Sequence, residues 1–224
     1  MDKLCYIFLY FVFYSIIGYV CEVFYVYLGD KKWVNRGFLH GPYIPIYGNG
    51  AMIVSLALMH VKKDSFIIFL VGLVLCSLLE YITSYVMEKI FHNRWWDYSE
   101  RKYNLNGRVC LQNSVLFGLG SVAIIYVFNP LFNKLYNALG FKTALYVAIV
   151  LFIIMLVDFS ISFFEAIKVS NIASHLDKFM EEFEKKKEST KRIKTRLMEA
   201  YPYLVKRNFK FLDKIKNYKK KSKN

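Results

Sequence analysis

Long apolar stretches fill most of the first 169 residues of this 224-residue sequence. Five of them approach the roughly 20 mostly apolar residues that a helix needs to cross a bilayer. They cover residues 4–28, 42–60, 65–91, 111–128 and 143–169. The sequence therefore predicts an all-α, polytopic membrane protein with five transmembrane helices, the first of which we expect to be a retained anchor. It excludes a soluble globular enzyme.

The charges divide the chain into an apolar body and a basic tail. Of the 31 Lys and Arg and 17 Asp and Glu, residues 170–224 hold 17 and 7, which leaves 14 and 10 for residues 1–169. We therefore expect a transmembrane domain over 1–169 and a cytoplasmic tail over 170–224. Because Lys and Arg accumulate on the cytoplasmic side, five crossings place the N-terminus outside and the C-terminus inside.

Two amphipathic segments make up the tail. Apolar residues recur at spacings of three and four from Ile172 to Phe183, and a second set from Leu204 to Ile215 ends in a run of lysines. The first predicts a continuation of the fifth helix, and the second a basic helix on the anionic lipids of the inner leaflet. A solvated tail and a docking helix for a cytoplasmic subunit are alternatives. Nucleic acid is not expected as a partner.

Acidic residues interrupt the apolar stretches, although each costs about 2.5–3.5 kcal/mol near a helix centre. They fall on polar faces, because residues three or four apart share one side of a helix. The faces comprise Tyr6, Tyr10, Tyr14, Gly18 and Glu22 in the first stretch, Ser77, Glu80, Ser84 and Glu88 in the third, and Asp158, Ser162 and Glu165 in the fifth. Of the acids, Glu22, Glu80 and Asp158 are the stronger candidates, since Glu88 and Glu165 lie closer to the interface.

The polar faces predict a chamber that is reached from the cytoplasm. With the N-terminus outside, the acids fall in the cytoplasmic half of their helices, and the chamber would have Arg36, Arg94 and Arg108 at its rim. The alternative is that the acids only lock the packing of the helices.

The start of the second apolar stretch is broken. Residues 36–50 contain four glycines together with Pro42 and Pro45, which remove backbone donors and disfavour helix before them. Broken backbone at membrane depth requires protein or water around it. We therefore expect a re-entrant or unwound segment, with helix beginning near Ile46, and count His40 and Tyr47 as candidate site residues. A tightly packed loop without a ligand is the alternative.

The loop before the fourth stretch is rich in Trp, Asn and Arg. Trp95 and Trp96 are typical of interfacial anchors. Asn106-Gly107 predicts a tight turn. Arg108 would then pair with Glu80 or Asp158, or bind a carboxylate or phosphate of a substrate.

Four motifs of this sequence occur together in a known family. They are Gly-Phe-Leu-His-Gly-Pro at 37–42, Leu-Glu-Tyr-Ile-Thr-Ser at 79–84, Arg-Trp-Trp-Asp-Tyr-Ser at 94–99 and Asn-Leu-Asn-Gly-Arg-Val-Cys-Leu at 104–111. The sequence resembles, over about residues 5–165, the bacterial family of putative ABC-transporter type IV or CmpB-like permeases. The resemblance implies a multi-pass protein of the bacterial cytoplasmic membrane. Glu80, Arg94, Trp96, Asp97, Arg108 and the 36–50 segment match the family pattern.

These patterns favour a permease that binds or moves a small solute. The alternatives are a membrane enzyme acting on a lipid-linked or amphiphilic substrate, with Glu80 or Asp158 as base and His40 or Tyr47 as acid, and a scaffold or sensor that signals through the tail. Candidate substrate-binding residues are Glu22, Arg36, His40, Tyr47, Glu80, Arg94, Trp96, Asp97, Asn106, Arg108 and Asp158.

The sequence points to partners rather than to cofactors. It contains no phosphate-binding loop motif, so any ATPase would be a separate cytoplasmic subunit. Its four histidines are scattered, and no metal or other cofactor is expected. Five spans would make a thin pore in a monomer, so we expect a homo- or hetero-oligomer.

Overall fold

A computed structural model describes residues 2–31, 33, 35, 37–58, 64–92 and 94–200 of the chain. Its elements follow one another in chain order as six α-helices, one π-helix and two short strands within these residues. They are α1 (Asp2–Asp30), α2 (Pro45–Ala57), α3 (Ser65–Phe91), β1 (Asn104–Leu105), β2 (Val109–Cys110), α4 (Leu111–Ala123), a π-helix (Ile124–Phe128), α5 (Asn129–Leu139) and α6 (Phe141–Ala200).

Four described helical segments are long and apolar enough to cross a membrane. They are Asp2–Leu28, Ser65–Phe91, Leu111–Leu139 and Phe141–Ser170, and they make the chain a multi-pass membrane protein. They match four of the predicted stretches. The remaining predicted stretch is the second one in the chain, at residues 42–60. In the described residues it contains only the 13-residue helix α2. The count of five spans is therefore not confirmed, and it stays a prediction.

The fourth predicted span ends too early. We expected its end at Phe128, but the helical segment continues to Leu139. Pro130 has no N–H and crowds the preceding turn. A π-helix absorbs this disturbance, and the Asn129 N–H donates to the Ile124 carbonyl five residues back. The proline therefore widens the helix locally and does not end it.

The short helix α2 packs against α1 and runs antiparallel to it. The Ile44 N–H donates to the Ser15 carbonyl at 2.9 Å, halfway along α1. Further along α2, the Ser55 hydroxyl lies 2.6 Å from the Tyr10 hydroxyl. Gly48 permits the close approach, because a Cβ there would lie 2.5 Å from the Phe11 carbonyl oxygen. Helix α2 thus starts at mid-depth of α1 and heads toward its N-terminal end, and its start at Pro45 confirms the prediction near Ile46.

Small residues also bring α3 and α4 together. A Cβ on Gly72 would collide with the Ser121 side chain, and a Cβ on Gly118 would meet the Phe69 ring at 2.6 Å. Interfaces between membrane helices favour such residues, because their gain comes from close packing and hydrogen bonding. Asp64 caps the start of α3 by accepting from the Phe66 N–H at 2.8 Å.

The predicted turn at Asn106-Gly107 is confirmed. Strands β1 and β2 pair antiparallel, with Leu105 opposite Val109. Asn106 and Gly107 adopt φ values of 53° and 68°, which suit the tight turn of a hairpin. The hairpin leads directly into α4 and places Arg108 at its tip.

The chain divides into two compact units, Met1–Ser170 and Asn171–Asn224. Helix α6 contributes to both and is described as far as Ala200. In the second unit, Lys185 and Glu181 pair at 2.7 Å on successive turns. The second amphipathic set predicted for the tail, from Leu204 to Ile215, lies outside the described residues.

Candidate functional site

Asp158 lies on α6 and accepts hydrogen bonds from the segment that precedes α2. The backbone N–H groups of His40 and Gly41 donate to it at 3.0 and 2.9 Å, and the Tyr43 hydroxyl donates at 2.6 Å. The Ser162 hydroxyl adds a donor at 3.2 Å, and the His40 Nδ1 atom lies 3.1 Å from the same carboxylate. Both carboxylate oxygens therefore have partners, although the side chain is only 11% exposed.

The other ring nitrogen of His40 extends these contacts. Its Nε2 atom lies 3.1 Å from a Glu165 carboxylate oxygen, on the same face of α6 as Asp158. The polar face predicted for the fifth stretch is confirmed, since Asp158, Ser162 and Glu165 all contact His40. We call His40, Gly41, Tyr43, Asp158 and Ser162 the Asp158 cluster. It fixes the broken segment to a helix more than 100 residues later in the chain.

A second acid, Glu80 on α3, is buried and has fewer partners. The Tyr98 hydroxyl donates to one of its carboxylate oxygens at 3.1 Å. On the neighbouring α1 and α2, the Tyr47 hydroxyl donates to Glu22 at 2.8 Å. Tyr98 lies close enough to both Glu80 and Glu22 for their charges to raise the pKa of its hydroxyl. We call Glu22, Tyr47, Glu80 and Tyr98 the Glu80 cluster.

Among the residues that the structure describes, one oxygen of the Glu80 carboxylate has no hydrogen-bond partner, although the residue is only 6% exposed. The side-chain amide of Asn113, near the start of α4, is placed to donate a further hydrogen bond to the Glu80 side chain. A buried carboxylate without its full set of partners is costly in any low-dielectric setting. Burial and the charge of Glu80 raise the pKa of Tyr98, so its hydroxyl stays protonated and remains a donor.

Two arginines, Arg94 and Arg108, pair with Glu88 in the last turn of α3. Arg108 is 2.6 Å from Glu88, and Arg94 is 3.2 Å from the same carboxylate. Arg108 also donates to the Ser84 hydroxyl at 3.2 Å and lies 5.4 Å from the centre of the Tyr85 ring. The expected pairing of Arg108 with Glu80 or Asp158 is therefore wrong. Arg108 leaves the hairpin at the level of the last turns of α3, where Glu88 is the acid within reach.

Other candidates from the same loop hold the hairpin in place. The Trp96 ring N–H donates to the Arg108 carbonyl at 3.1 Å. Asp97 accepts from the Ser99 N–H and hydroxyl at 2.9 and 2.5 Å, which lowers the pKa of this carboxyl. The Asn106 amide donates to the Tyr81 hydroxyl at 3.0 Å. These contacts order the loop that carries Tyr98 to Glu80.

A family model described as putative ABC-transporter type IV matches residues 9–163 of the chain. The chain belongs to this family. The matched part contains the Asp158 cluster, the Glu80 cluster and the hairpin. No curated protein and no solved structure matches the chain. The protein is thus a multi-pass membrane protein of the putative ABC-transporter type IV family.

In this family member, the candidate residues separate into three groups. Glu22, Tyr47 and Glu80 come together in one cluster, and His40 joins Asp158 in another. The hairpin and its surroundings contain Arg94, Trp96, Asp97, Asn106 and Arg108. Arg36 lies outside the described residues. Among the described residues, no group of three or more His, Cys, Asp and Glu side chains is placed to hold a metal ion.

Sequence reasoning missed two residues with central contacts. Tyr98 is the donor to Glu80, and its position in the Trp-Trp-Asp-Tyr-Ser motif was the available signal. Asn129 accepts from the hydroxyls of Tyr10 and Tyr14 at 2.7 and 2.6 Å. Its place directly before Pro130, inside an apolar stretch, could have indicated a buried polar contact. The tyrosine face predicted for α1 is confirmed by these bonds.

Proposed function

We propose that this chain is a permease subunit of the bacterial cytoplasmic membrane, and that it binds a small solute at the Glu80 cluster. The observation that carries the proposal is the Glu80 side chain. It is 6% exposed, and one of its oxygens has no hydrogen-bond partner in the described part of the chain. Acids within membrane helices are costly, and they commonly mark the pathways of solutes or ions. Membership of a transporter family supports the same class of function.

The contacts of α2 support a second crossing that is built from two unlike halves. Phe38, before α2, packs on Phe91 at the end of α3, while Ser55, late in α2, contacts Asn129 near the other end of the bundle. Residues 37–44 would cover one half of the bilayer as non-helical backbone, and α2 would cover the other half. Transporters often bind their solutes where a membrane helix is interrupted in this way. With this crossing, the chain passes the membrane five times.

Five crossings place the two termini on opposite sides. The basic tail supports a cytoplasmic C-terminus and an outer N-terminus. The cytoplasmic side then includes the hairpin loop with Arg94, Arg101 and Arg108. Glu80 lies about 17 Å from the end of α3 at Phe91, as the rise per residue gives. The proposed solute site therefore lies in the cytoplasmic half of the bilayer and is reached from the hairpin side.

The proposal includes a separate ATPase. The sequence has no phosphate-binding loop, so hydrolysis of a nucleotide would have to come from another chain. A bundle of five crossings has few helices to surround a solute pathway, and assembly into a homo- or hetero-oligomer would supply more. We further propose that the basic tail binds anionic lipids of the inner leaflet.

Gentle affinity purification from the native host, followed by mass spectrometry, tests the ATPase partner. A stoichiometric cytoplasmic ATPase is the expected result. If the intact, folded protein purifies without one, the pump with a separate ATPase is excluded, and the chain would act as a carrier driven by another gradient.

A strain that lacks this protein tests the transport role of Glu80. The deletion strain is complemented with the wild-type chain, with Glu80→Ala or with Glu100→Ala, and small molecules are quantified inside and outside the cells. Glu100 is an exposed acid of the hairpin loop and serves as the matched control. We expect Glu80→Ala to resemble the deletion and Glu100→Ala to resemble the wild type. Full complementation by Glu80→Ala, at equal protein level, would refute the proposed site.

A further inference from the structure

The Glu80 cluster offers far more hydrogen-bond acceptors than donors. Its two carboxylates have four oxygens. The hydroxyls of Tyr47 and Tyr98 each donate to one of them, and the Asn113 amide is placed to donate to Glu80. A hydroxyl that donates its single hydrogen retains lone pairs that accept. The Glu80 oxygen that has no partner among the described residues adds a buried acceptor. A partner for this site must therefore bring donors and positive charge.

A protonated amine meets both requirements. An ammonium group has three N–H donors and no acceptor, so it can bond to Glu80 and to the tyrosine oxygens without leaving a polar atom unpaired. A solute hydroxyl brings one donor and further acceptors, and an anion would be repelled by both acids. The basic side chains Arg94 and Arg108 do not supply the charge, because both are bound to Glu88.

We propose that the Glu80 cluster binds a small organic cation through a primary ammonium group, whose N–H groups bond to the free Glu80 oxygen and to the hydroxyl of Tyr98. This inference rests on the proposed function, and it names the chemical class of the solute. Glu22 adds the second negative charge, and its bond from Tyr47 keeps it in place. The site would select for N–H donors and for positive charge at the same time.

Binding by the purified full-length protein in lipid nanodiscs tests the class of solute. Ammonium, methylammonium, butylammonium, tetramethylammonium and potassium chloride are titrated at equal ionic strength, and the thermal unfolding midpoint is recorded. We expect the primary ammonium ions to raise the midpoint with saturation. Tetramethylammonium has the same charge and no N–H group, so it should have no effect. The proposal would be overturned if only potassium or tetramethylammonium raised the midpoint with saturation. It would also be overturned if none of the five cations raised it.

Three variants locate the binding site. Glu80→Gln removes the charge at nearly constant shape, and we expect the affinity for methylammonium to fall about 30-fold or more, as for one partner of a buried charge pair. Tyr98→Phe removes one acceptor and should weaken binding less. Glu100→Gln, in the exposed part of the loop, should bind as the wild type does. Equal affinity in Glu80→Gln and the wild type would overturn the proposal.

The two proposals fail in distinguishable ways. If Glu80→Ala behaves like the deletion strain but no ammonium ion binds, the transport role stands and the amine class is wrong. If methylammonium binds through Glu80 while Glu80→Ala complements the deletion fully, the cation site is real and the transport role is wrong.

Discussion

Asp158 is a partly buried acid and Glu80 is a buried one, and the two have opposite surroundings. Asp158 receives two backbone N–H groups and the hydroxyls of Tyr43 and Ser162, so its charge is fully bonded within the chain. Glu80 receives the Tyr98 hydroxyl and has the Asn113 amide beside it, and one of its oxygens has no partner within the described residues. Each acid costs energy to insert into a membrane. Only Asp158 recovers that cost from contacts inside the chain.

The difference separates a structural acid from one that is available to a solute. Backbone donors at Asp158 fix a segment that has no helix of its own, residues 37–44, against α6. At Glu80 the incomplete set of partners leaves a place for an external donor. The comparison predicts that Asp158 variants change stability, whereas Glu80 variants change binding.

The largest expected effect is on Asp158. Asp158→Ala leaves the N–H groups of His40 and Gly41 and the Tyr43 hydroxyl without their acceptor, and hydrogen bonds to charged groups contribute about 1.5–3 kcal/mol each. We expect the free energy of unfolding, measured by SDS titration in mixed micelles, to fall by at least about 3 kcal/mol. Asp158→Asn keeps one acceptor oxygen and should lose less. An unchanged free energy of unfolding in Asp158→Ala would show that Asp158 does not stabilise the fold.

A smaller effect is expected at the turn that positions Tyr98. Gly107 has φ 68°, and a Cβ there would collide with the Asp97 side chain. The Tyr98 N–H donates to the Gly107 carbonyl at 2.7 Å, so the turn and the donor to Glu80 move together. Gly107→Ala should destabilise the protein by about 1–3 kcal/mol. It should also weaken methylammonium binding, and intact binding would show that Tyr98 is positioned by other contacts.

His40 should contribute less than the backbone at its own position. Its side chain is 59% exposed, and its ring contacts Asp158 and Glu165. His40→Ala keeps the backbone N–H that donates to Asp158, so we expect a loss of about 0.5–1.5 kcal/mol in the same titration. A loss as large as that of Asp158→Ala would mean that the ring, and not the backbone, holds the broken segment.

The smallest effect on stability is expected for Glu80. Glu80→Gln removes a buried charge that has no full set of partners, so the free energy of unfolding should stay within about 1 kcal/mol or rise. The same preparation should have lost methylammonium binding. A destabilisation equal to that of Asp158→Ala would place Glu80 among the structural acids and end the contrast between the two residues.

The sequence was sufficient for features that depend on neighbouring residues. Long apolar runs predicted four of the membrane helices, and the Asn106-Gly107 pair predicted the hairpin turn. Pro42 and Pro45 predicted where α2 begins. Helical spacing also predicted the polar face of α3, whose members Ser77 and Glu80 now contact Ser114 and Tyr98.

The partners of the acids could not be predicted, because they lie far apart in the chain. Whether Arg108 meets Glu80 or Glu88 depends on how far the hairpin reaches along α3, and both acids share one helical face. The sequence also did not show that the helix continues past Pro130. A proline in an apolar run ends a helix or is absorbed by a wider turn, and the local sequence permits both.

The bond between His40 and Asp158 has a consequence for the order of assembly. During synthesis, residues 37–44 emerge long before α6, so the N–H groups of His40 and Gly41 lack their Asp158 acceptor while the first helices enter the membrane. A chain interrupted before Asp158 would contain the complete Glu80 cluster with its adjoining segment unattached. The contact that holds this early segment therefore forms only after Asp158 of α6 has been made.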